Sequence, residues 1–255
     1  MDDRKILDSI INKKIAGLKS LAVLIDPESI TQKEIAKLVS LSMEANVDYF
    51  FVGGSTARYQ EMDEALSLLS ELTDIPTLIF PGSTSQLNDK ADGLLYLSLI
   101  SGRNPDLLIG KHVESVPFIR KSNIEVIPTG YLLVDGGTDS TVAYISNTTP
   151  IPADKPDITL ATALAGQYLG LQLIYLEAGS GAEHPVSEAT ISAVQAALTV
   201  PLIVGGGIRT AERASLSAKA GADVIVIGNT LEKDPDLVMD MSIAIHSAHT
   251  DIRQT

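Results

Sequence analysis

The sequence predicts an α/β fold, a modified TIM-type (β/α)8 barrel that lacks the outer helix after its third strand. Three observations carry this expectation. Eight short runs along the 255 residues are mostly continuously apolar, the signature of strands buried on both faces. Helix-period segments separate most of these runs, which implies parallel βαβ units. One connection is too short and too polar to hold a crossover helix.

A helix-like segment near residues 2–16 comes first, with a place outside or under the barrel. The first strand is expected over 21–26 with its helix over 31–46, and the second over 49–54 with a helix over 59–72. The third spans 76–82 and is followed by Ser83-Thr84-Ser85-Gln86-Leu87-Asn88-Asp89-Lys90-Ala91-Asp92, where no helix fits. That gap leaves an apolar flank for a neighbouring segment or subunit to cover, or opens a groove for a long apolar ligand. The fourth strand is expected over 93–100 with a helix over 104–122, and the fifth over 125–134. An irregular stretch, 135–157, contains Gly136, Gly137, Pro150, Pro152 and Pro156 and reads as a lid or an assembly element. Helices over 158–170, 187–199, 210–221 and 236–248 then alternate with strands over 171–179, 201–207 and 224–229. Residues 1–255 read as one barrel domain.

Composition narrows the function. A net charge of −13 argues against nucleic acid or an anionic membrane surface as the main partner. Without cysteine there are no disulfides and no thiolate metal sites. No apolar run reaches the ~18–20 residues of a membrane span, and the charged N-terminal residues lack the pattern of a signal peptide. The expectation is a cytoplasmic protein that does not span a membrane.

The chemistry concentrates at strand ends. Tyr175-Leu176-Glu177-Ala178-Gly179-Ser180-Gly181, Gly205-Gly206-Gly207-Ile208 and Gly228-Asn229 each close an apolar run. In barrels of this type, loops after strands seven and eight often turn backbone N–H groups toward a phosphate. Glycine permits the positive φ and close approach this needs, although it also simply ends strands. Arg209 could add a charge. Glu177 is either paired inside the barrel or a general base for a hydroxyl, and Tyr175 points to the same side of its strand. Asp26, in an Asp-Pro pair, starts a turn or binds a hard cation, and Ser55 caps a helix or supplies a neighbouring oxygen. Of the four histidines, His112 reads as exposed or a helix partner, and His246 and His249 lie near the C-terminus; none has metal-ligand spacing.

Taken together, these residues resemble the geranylgeranylglyceryl phosphate synthase family of prenyltransferases, which includes bacterial heptaprenylglyceryl phosphate synthases. The match covers nearly the whole chain, at 24–28, 49–56, 76–82, 104–112, 128–131, 175–181, 205–208 and 228–229. The resemblance implies the missing third helix. It implies sn-glycerol 1-phosphate held by Tyr175, Leu176, Glu177, Ala178, Gly179, Ser180, Gly181, Gly206, Gly207, Gly228 and Asn229. It implies Mg2+ near Asp26 and Ser55, holding the diphosphate of a polyprenyl donor, geranylgeranyl diphosphate or a longer one. The prenyl group would pass to the C3 hydroxyl of the glycerol phosphate, with Glu177 accepting the proton. The family forms dimers and hexamers, so a homo-oligomer is expected. Many archaeal members carry a lysine where this chain has Leu24, so one anion contact is lost or replaced, with Arg209 as a candidate. Rival readings are a phosphosugar isomerase or aldolase on the same barrel, and a metabolite-sensing barrel. The aldolase is disfavoured because no lysine closes a strand.

Overall fold

Strands buried on both faces must send alternate side chains into two separate apolar layers, and the computed structural model, which describes residues 5–248, has this arrangement. Eight parallel strands close in sequential order into a barrel: β1 (Ser20–Ile25), β2 (Tyr49–Val52), β3 (Thr77–Ile79), β4 (Gly93–Leu99), β5 (Glu125–Leu133), β6 (Leu173–Glu177), β7 (Leu202–Gly205) and β8 (Val224–Ile227). Closure is made by β1 against β8, with Ser20 opposite Val224 and Val23 opposite Ile227. The inner layer includes Ala22, Phe51, Leu78, Leu95, Ile127, Leu173, Tyr175 and Ile203. The outer layer, beneath the helices, includes Val23, Phe50, Ile174, Leu176 and Val204.

Helix α1 (Lys5–Ile15) seals the N-terminal end of the barrel with Ile6, Leu7 and Ile10. Its first turn is held by Glu125, whose carboxylate accepts the N–H groups of Ile6 (2.8 Å) and Leu7 (2.9 Å). The outer ring consists of α2 (Gln32–Glu44), α3 (Tyr59–Leu72), α4 (Lys111–Ile119), α6 (Pro156–Tyr168), α7 (Glu188–Gln195), α8 (Ala211–Lys219) and α10 (Val238–His246). The expected helix over 2–16 is therefore present from Lys5, and its residues 2–4 lie outside the described residues.

Between β3 and β4 there is a single 3-10 turn, Thr84–Gln86, and no crossover helix, as the length and polarity of that segment required. Two elements were not legible. A short helix, α5 (Thr141–Ser146), interrupts the irregular stretch after β5, capped by Ser140 Oγ. Another, α9 (Asn229–Lys233), opens directly from the end of β8. The helix expected over 104–122 is divided: a π turn, Asp106–Gly110, precedes α4. Such turns widen the helix by one residue and recur at functional sites. Here the turn carries Leu107 to an apolar groove.

Candidate active site

Most of the strand-end residues singled out above meet at the C-terminal mouth of the barrel. A single cavity is lined by Asp26, Ser55, Tyr175, Glu177, Ser180, Gly181, Gly206, Gly207, Gly228 and Asn229. The loops after β6, β7 and β8 are tied to one another. Ala178 N–H donates to Gly205 O (3.0 Å), and the Ser180 hydroxyl and Asn229 side-chain amide exchange hydrogen bonds at 3.1 and 3.3 Å. Among the described residues, none accepts a hydrogen bond from the backbone N–H of Gly206, Gly207, Gly228 or Asn229. Unpartnered amides facing one cavity are a ready anion site.

Glycine is required at two of these positions. Gly206 has φ +84°, and a Cβ there would lie 2.8 Å from Gly179 N and 2.9 Å from Ala178 N. At Gly205 a Cβ would lie 2.5 Å from the Tyr175 hydroxyl and 2.9 Å from Glu177 Oε2. Both acidic and phenolic groups thus crowd the β7 backbone.

Glu177 ends β6 and is only 6% exposed. Burial pushes its carboxyl up to about 7, partly opposed by the Gly179 N–H, which donates to Oε1 at 2.7 Å, and by Tyr175. The same burial raises the phenols of Tyr175 and Tyr131 well above their ordinary range, with the Glu177 charge adding to the effect. Phe80 stacks on Tyr175 with centroids 5.4 Å apart, and Tyr131 meets both rings edge-on at 5.7 and 5.3 Å. These aromatic rings form an apolar floor beside the carboxylate.

Three residues named from sequence turn their side chain or their N–H away from the open cavity. Leu176 turns outward into the layer under the helices, because it alternates with Tyr175 on β6. Ala178 is buried in the same layer and its N–H is already bonded to Gly205. Gly179, at φ +101°, offers its N–H to Glu177 and not to the open cavity. Arg209 is exposed and grips the β6 loop, donating to Gly181 O (3.3 Å) and Ala182 O (2.7 Å) while lining the cavity. Leu24 lies in the cavity wall near Gly228.

Beside the β8 loop, at the end of the neighbouring β1, lies an acidic corner. The Asp26 carboxylate packs on Gly54, where a Cβ would come within 2.5 to 2.6 Å of its atoms, and Ser55 follows directly. Burial raises the Asp26 carboxyl, partly offset by the Glu28 N–H, which donates at 3.1 Å. Glu232, which sequence reading missed, accepts the Asp26 N–H (2.8 Å) and the Ser29 hydroxyl (2.9 Å), and burial raises its carboxyl too. Glu232 sits 206 positions from Asp26 and carries no local signal. Among the described residues no Lys or Arg pairs with Asp26 or Glu232. No group of three or more His, Cys, Asp or Glu that could hold a metal occurs among them either. Asp26 and Ser55 offer the oxygen donors that a hard cation completing its shell with substrate phosphate oxygens and water would require. The donor set fits.

From this corner an apolar groove runs outward through the gap left by the missing helix. Ser55, Pro81, Gly82, Leu97, Tyr131 and Val142 are common to cavity and groove. Leu87, Leu94, Leu99, Leu107 and Ile145 extend it, so α5 roofs part of it. His112, expected to be exposed or a helix partner, is instead 9% exposed and lines this groove, its Nε2 3.1 Å from Ser98 Oγ and its ring edge-on to Tyr96. His246 bridges Asp48 (2.8 Å) and Ser242 (3.0 Å) at the closed end of the barrel, a structural role. His249 lies outside the described residues.

The whole chain compares with known proteins in the same terms. It is 53% identical over 244 residues to the geranylgeranylglyceryl phosphate synthase of Chitinophaga pinensis, covering 96% of this chain and 97% of that one. It is 41% identical over 228 residues to the enzyme of the same name from Thermococcus kodakarensis, covering 89% and 90%. Among solved structures, the (S)-3-O-geranylgeranylglyceryl phosphate synthase of Thermoplasma acidophilum, in complex with its substrate sn-glycerol-1-phosphate, superposes with a TM-score of 0.90 at 35% identity, covering 95% of this chain and 98% of that one. A thiamine phosphate pyrophosphorylase from Pyrococcus furiosus, at 15% identity and a TM-score of 0.59, shares the fold alone. The model of the PcrB family matches residues 13–246, and the chain belongs to that family.

Proposed function

We propose that this protein is a prenyltransferase that moves a geranylgeranyl group from geranylgeranyl diphosphate to the C3 hydroxyl of sn-glycerol 1-phosphate. The observation that carries the proposal is one continuous space with three chemically distinct parts: unpartnered amides at one end, an acidic corner beside them, and an apolar groove leading away. A phosphate, a metal-bound diphosphate and a polyprenyl chain match these parts in that order. The Thermoplasma relative supports glycerol phosphate as the acceptor, since its structure holds sn-glycerol-1-phosphate.

The amides of Gly206, Gly207, Gly228 and Asn229, with Ser180 and Arg209, would hold the phosphate and so aim C3 toward Glu177. Asp26 and Ser55 would hold Mg2+, which supplies charge neutralisation for the departing diphosphate. The C1–O bond of the donor breaks with its electron pair leaving on diphosphate. The C3 oxygen bonds to C1 and its proton passes to the Glu177 carboxylate, so the products are a prenyl ether and diphosphate. Phe80, Tyr131 and Tyr175 keep water from the allylic carbon as it becomes electron-poor.

The active form is read as a homo-oligomer, supported by an exposed apolar strip on one face of the π turn and α4: Ile109 (61% exposed), Val113 (65%) and Val116 (43%). No helix among the described residues is long and apolar enough to cross a membrane, and the cytoplasm is the compartment that the acidic, cysteine-free composition suits. Incubating the protein with radiolabelled geranylgeranyl diphosphate, glycerol 1-phosphate and Mg2+ is expected to give a lipid-soluble phosphate monoester. Absence of product with donors from ten to thirty-five carbons would end the reading.

A further inference from the structure

A barrel unit without its outer helix still needs something to hold the loops on either side. In this chain the task falls to one side chain. Gln86, at the end of the 3-10 turn after β3, is 1% exposed. Its amide nitrogen donates to Gly54 O (2.8 Å) and Ala57 O (2.8 Å), carbonyls that flank Ser55. Its amide oxygen accepts the Gly82 N–H (2.7 Å). Both donors and the acceptor are thereby used in one place, which neither glutamate nor an apolar residue of the same shape could do. The two backbones are in contact as well: a Cβ at Gly82 would lie 2.5 Å from Gly54 O and 3.1 Å from Ser55 Cα. Gly54 in turn is the surface on which the Asp26 carboxylate rests.

We propose that Gln86 is a positioning residue for the cation–diphosphate end of the site, setting the Gly54–Ser55 turn at the distance Asp26 requires. This rests on the assignment of Asp26 and Ser55 to that end. Gln86 has no bond to the loops after β6, β7 and β8, which are tied by Arg209 and by the Ser180–Asn229 pair. Its effect is therefore one-sided, on the donor and its metal and not on the glycerol phosphate. A neighbour in the same segment provides the contrast: Asn88 is equally buried, but its amide donates to Asp63 Oδ1 (2.8 Å) on α3, away from the cavity.

The experiment uses the full chain with Gln86→Met, which loses all three bonds, and Gln86→Glu, which keeps the acceptor for Gly82 and loses both donors. Asn88→Ala is the structural control. Donor KM, the Mg2+ concentration for half-maximal rate, and the affinity for magnesium pyrophosphate by calorimetry are expected to weaken ~tenfold in the Gln86 variants. The KM for glycerol phosphate should stay within about twofold, as for independent sites. Asn88→Ala should lower thermal stability without moving donor KM or pyrophosphate affinity. Unchanged donor KM and pyrophosphate affinity in a folded Gln86→Glu, or a parallel rise in both KM values, would overturn the proposal. Hydrogen exchange on the unaltered protein decides the matter should neither variant fold. The Gly82 amide, which donates to the Gln86 amide oxygen at 2.7 Å, is expected to exchange slowly before any ligand is added, and fast exchange there refutes a pre-set turn. Asp26→Asn separates the premises: if it leaves the Mg2+ requirement intact, the metal assignment fails whatever Gln86 does.

Discussion

Glu177→Gln is the substitution that tests the chemistry and the physics together. Glutamine keeps an oxygen for the Gly179 N–H, so the local fold of the β6 loop should persist. What it removes is a buried carboxylate whose proton affinity has been pushed up to about 7 from an ordinary 4.5. At 1.36 kcal/mol per unit, holding that group ionised costs the ligand-free protein ~3 kcal/mol. The sign follows from proton binding. Below the unfolded value, both states are protonated and the group contributes nothing. Between 4.5 and about 7 the folded protein keeps a proton that the unfolded chain releases, so stability falls as pH rises through that window. Above it the full penalty applies. The glutamine variant should therefore match the parent protein near pH 4 and exceed it at pH 8 by up to ~3 kcal/mol, which for a chain of this size means roughly 6–12 °C in melting temperature. Catalysis should move the other way. Loss of a general base costs ~10²–10⁴-fold in kcat. In the parent protein kcat/KM should rise about tenfold per pH unit below 7 and level off above it. The measurements are thermal melts of the ligand-free variants at several pH values and initial rates with labelled donor. A variant that turns over near the parent rate removes Glu177 from the base role. A melting difference that does not change with pH refutes the buried-charge argument.

Asp26→Asn should raise the Mg2+ concentration needed for half-maximal activity by at least tenfold, or abolish activity, while binding of glycerol phosphate by calorimetry stays intact, because the carboxylate is the only charged donor assigned to that cation. Gly206→Ala forces a Cβ against the Ala178 and Gly179 amides at φ +84°, so stability should drop by ~1–3 kcal/mol in denaturant titrations and glycerol phosphate binding should be lost. Val113→Asp places a charge in the exposed strip on α4. Sedimentation should show the parent protein well above the 27.0 kDa of one chain and the variant shifted toward it; a parent sedimenting as a single chain would remove the oligomer.

Strand order and the missing helix were legible because both depend on local sequence: apolar runs of strand length, and a connection too short for a helix with its turns. The glycine loops were legible for a similar reason, since a positive φ such as that of Gly206 or Gly207 selects glycine directly. Helix α5 was not, as six residues between turns carry too little periodicity to distinguish from loop. The π turn before α4 was hidden because its sequence reads as ordinary helix.

The sequence by itself determined the barrel, its defect and the chemical classes present at its mouth, because strand periodicity and glycine chemistry act over a few residues. Only the tertiary structure decided which of those groups face the cavity. It turned Leu176 outward, bonded the Gly179 amide to Glu177, brought Glu232 to Asp26 and set Gln86 between two loops. Burial, and with it the raised proton affinity of Glu177, belongs to neighbours contributed by several strands, and no stretch of chain encodes it alone.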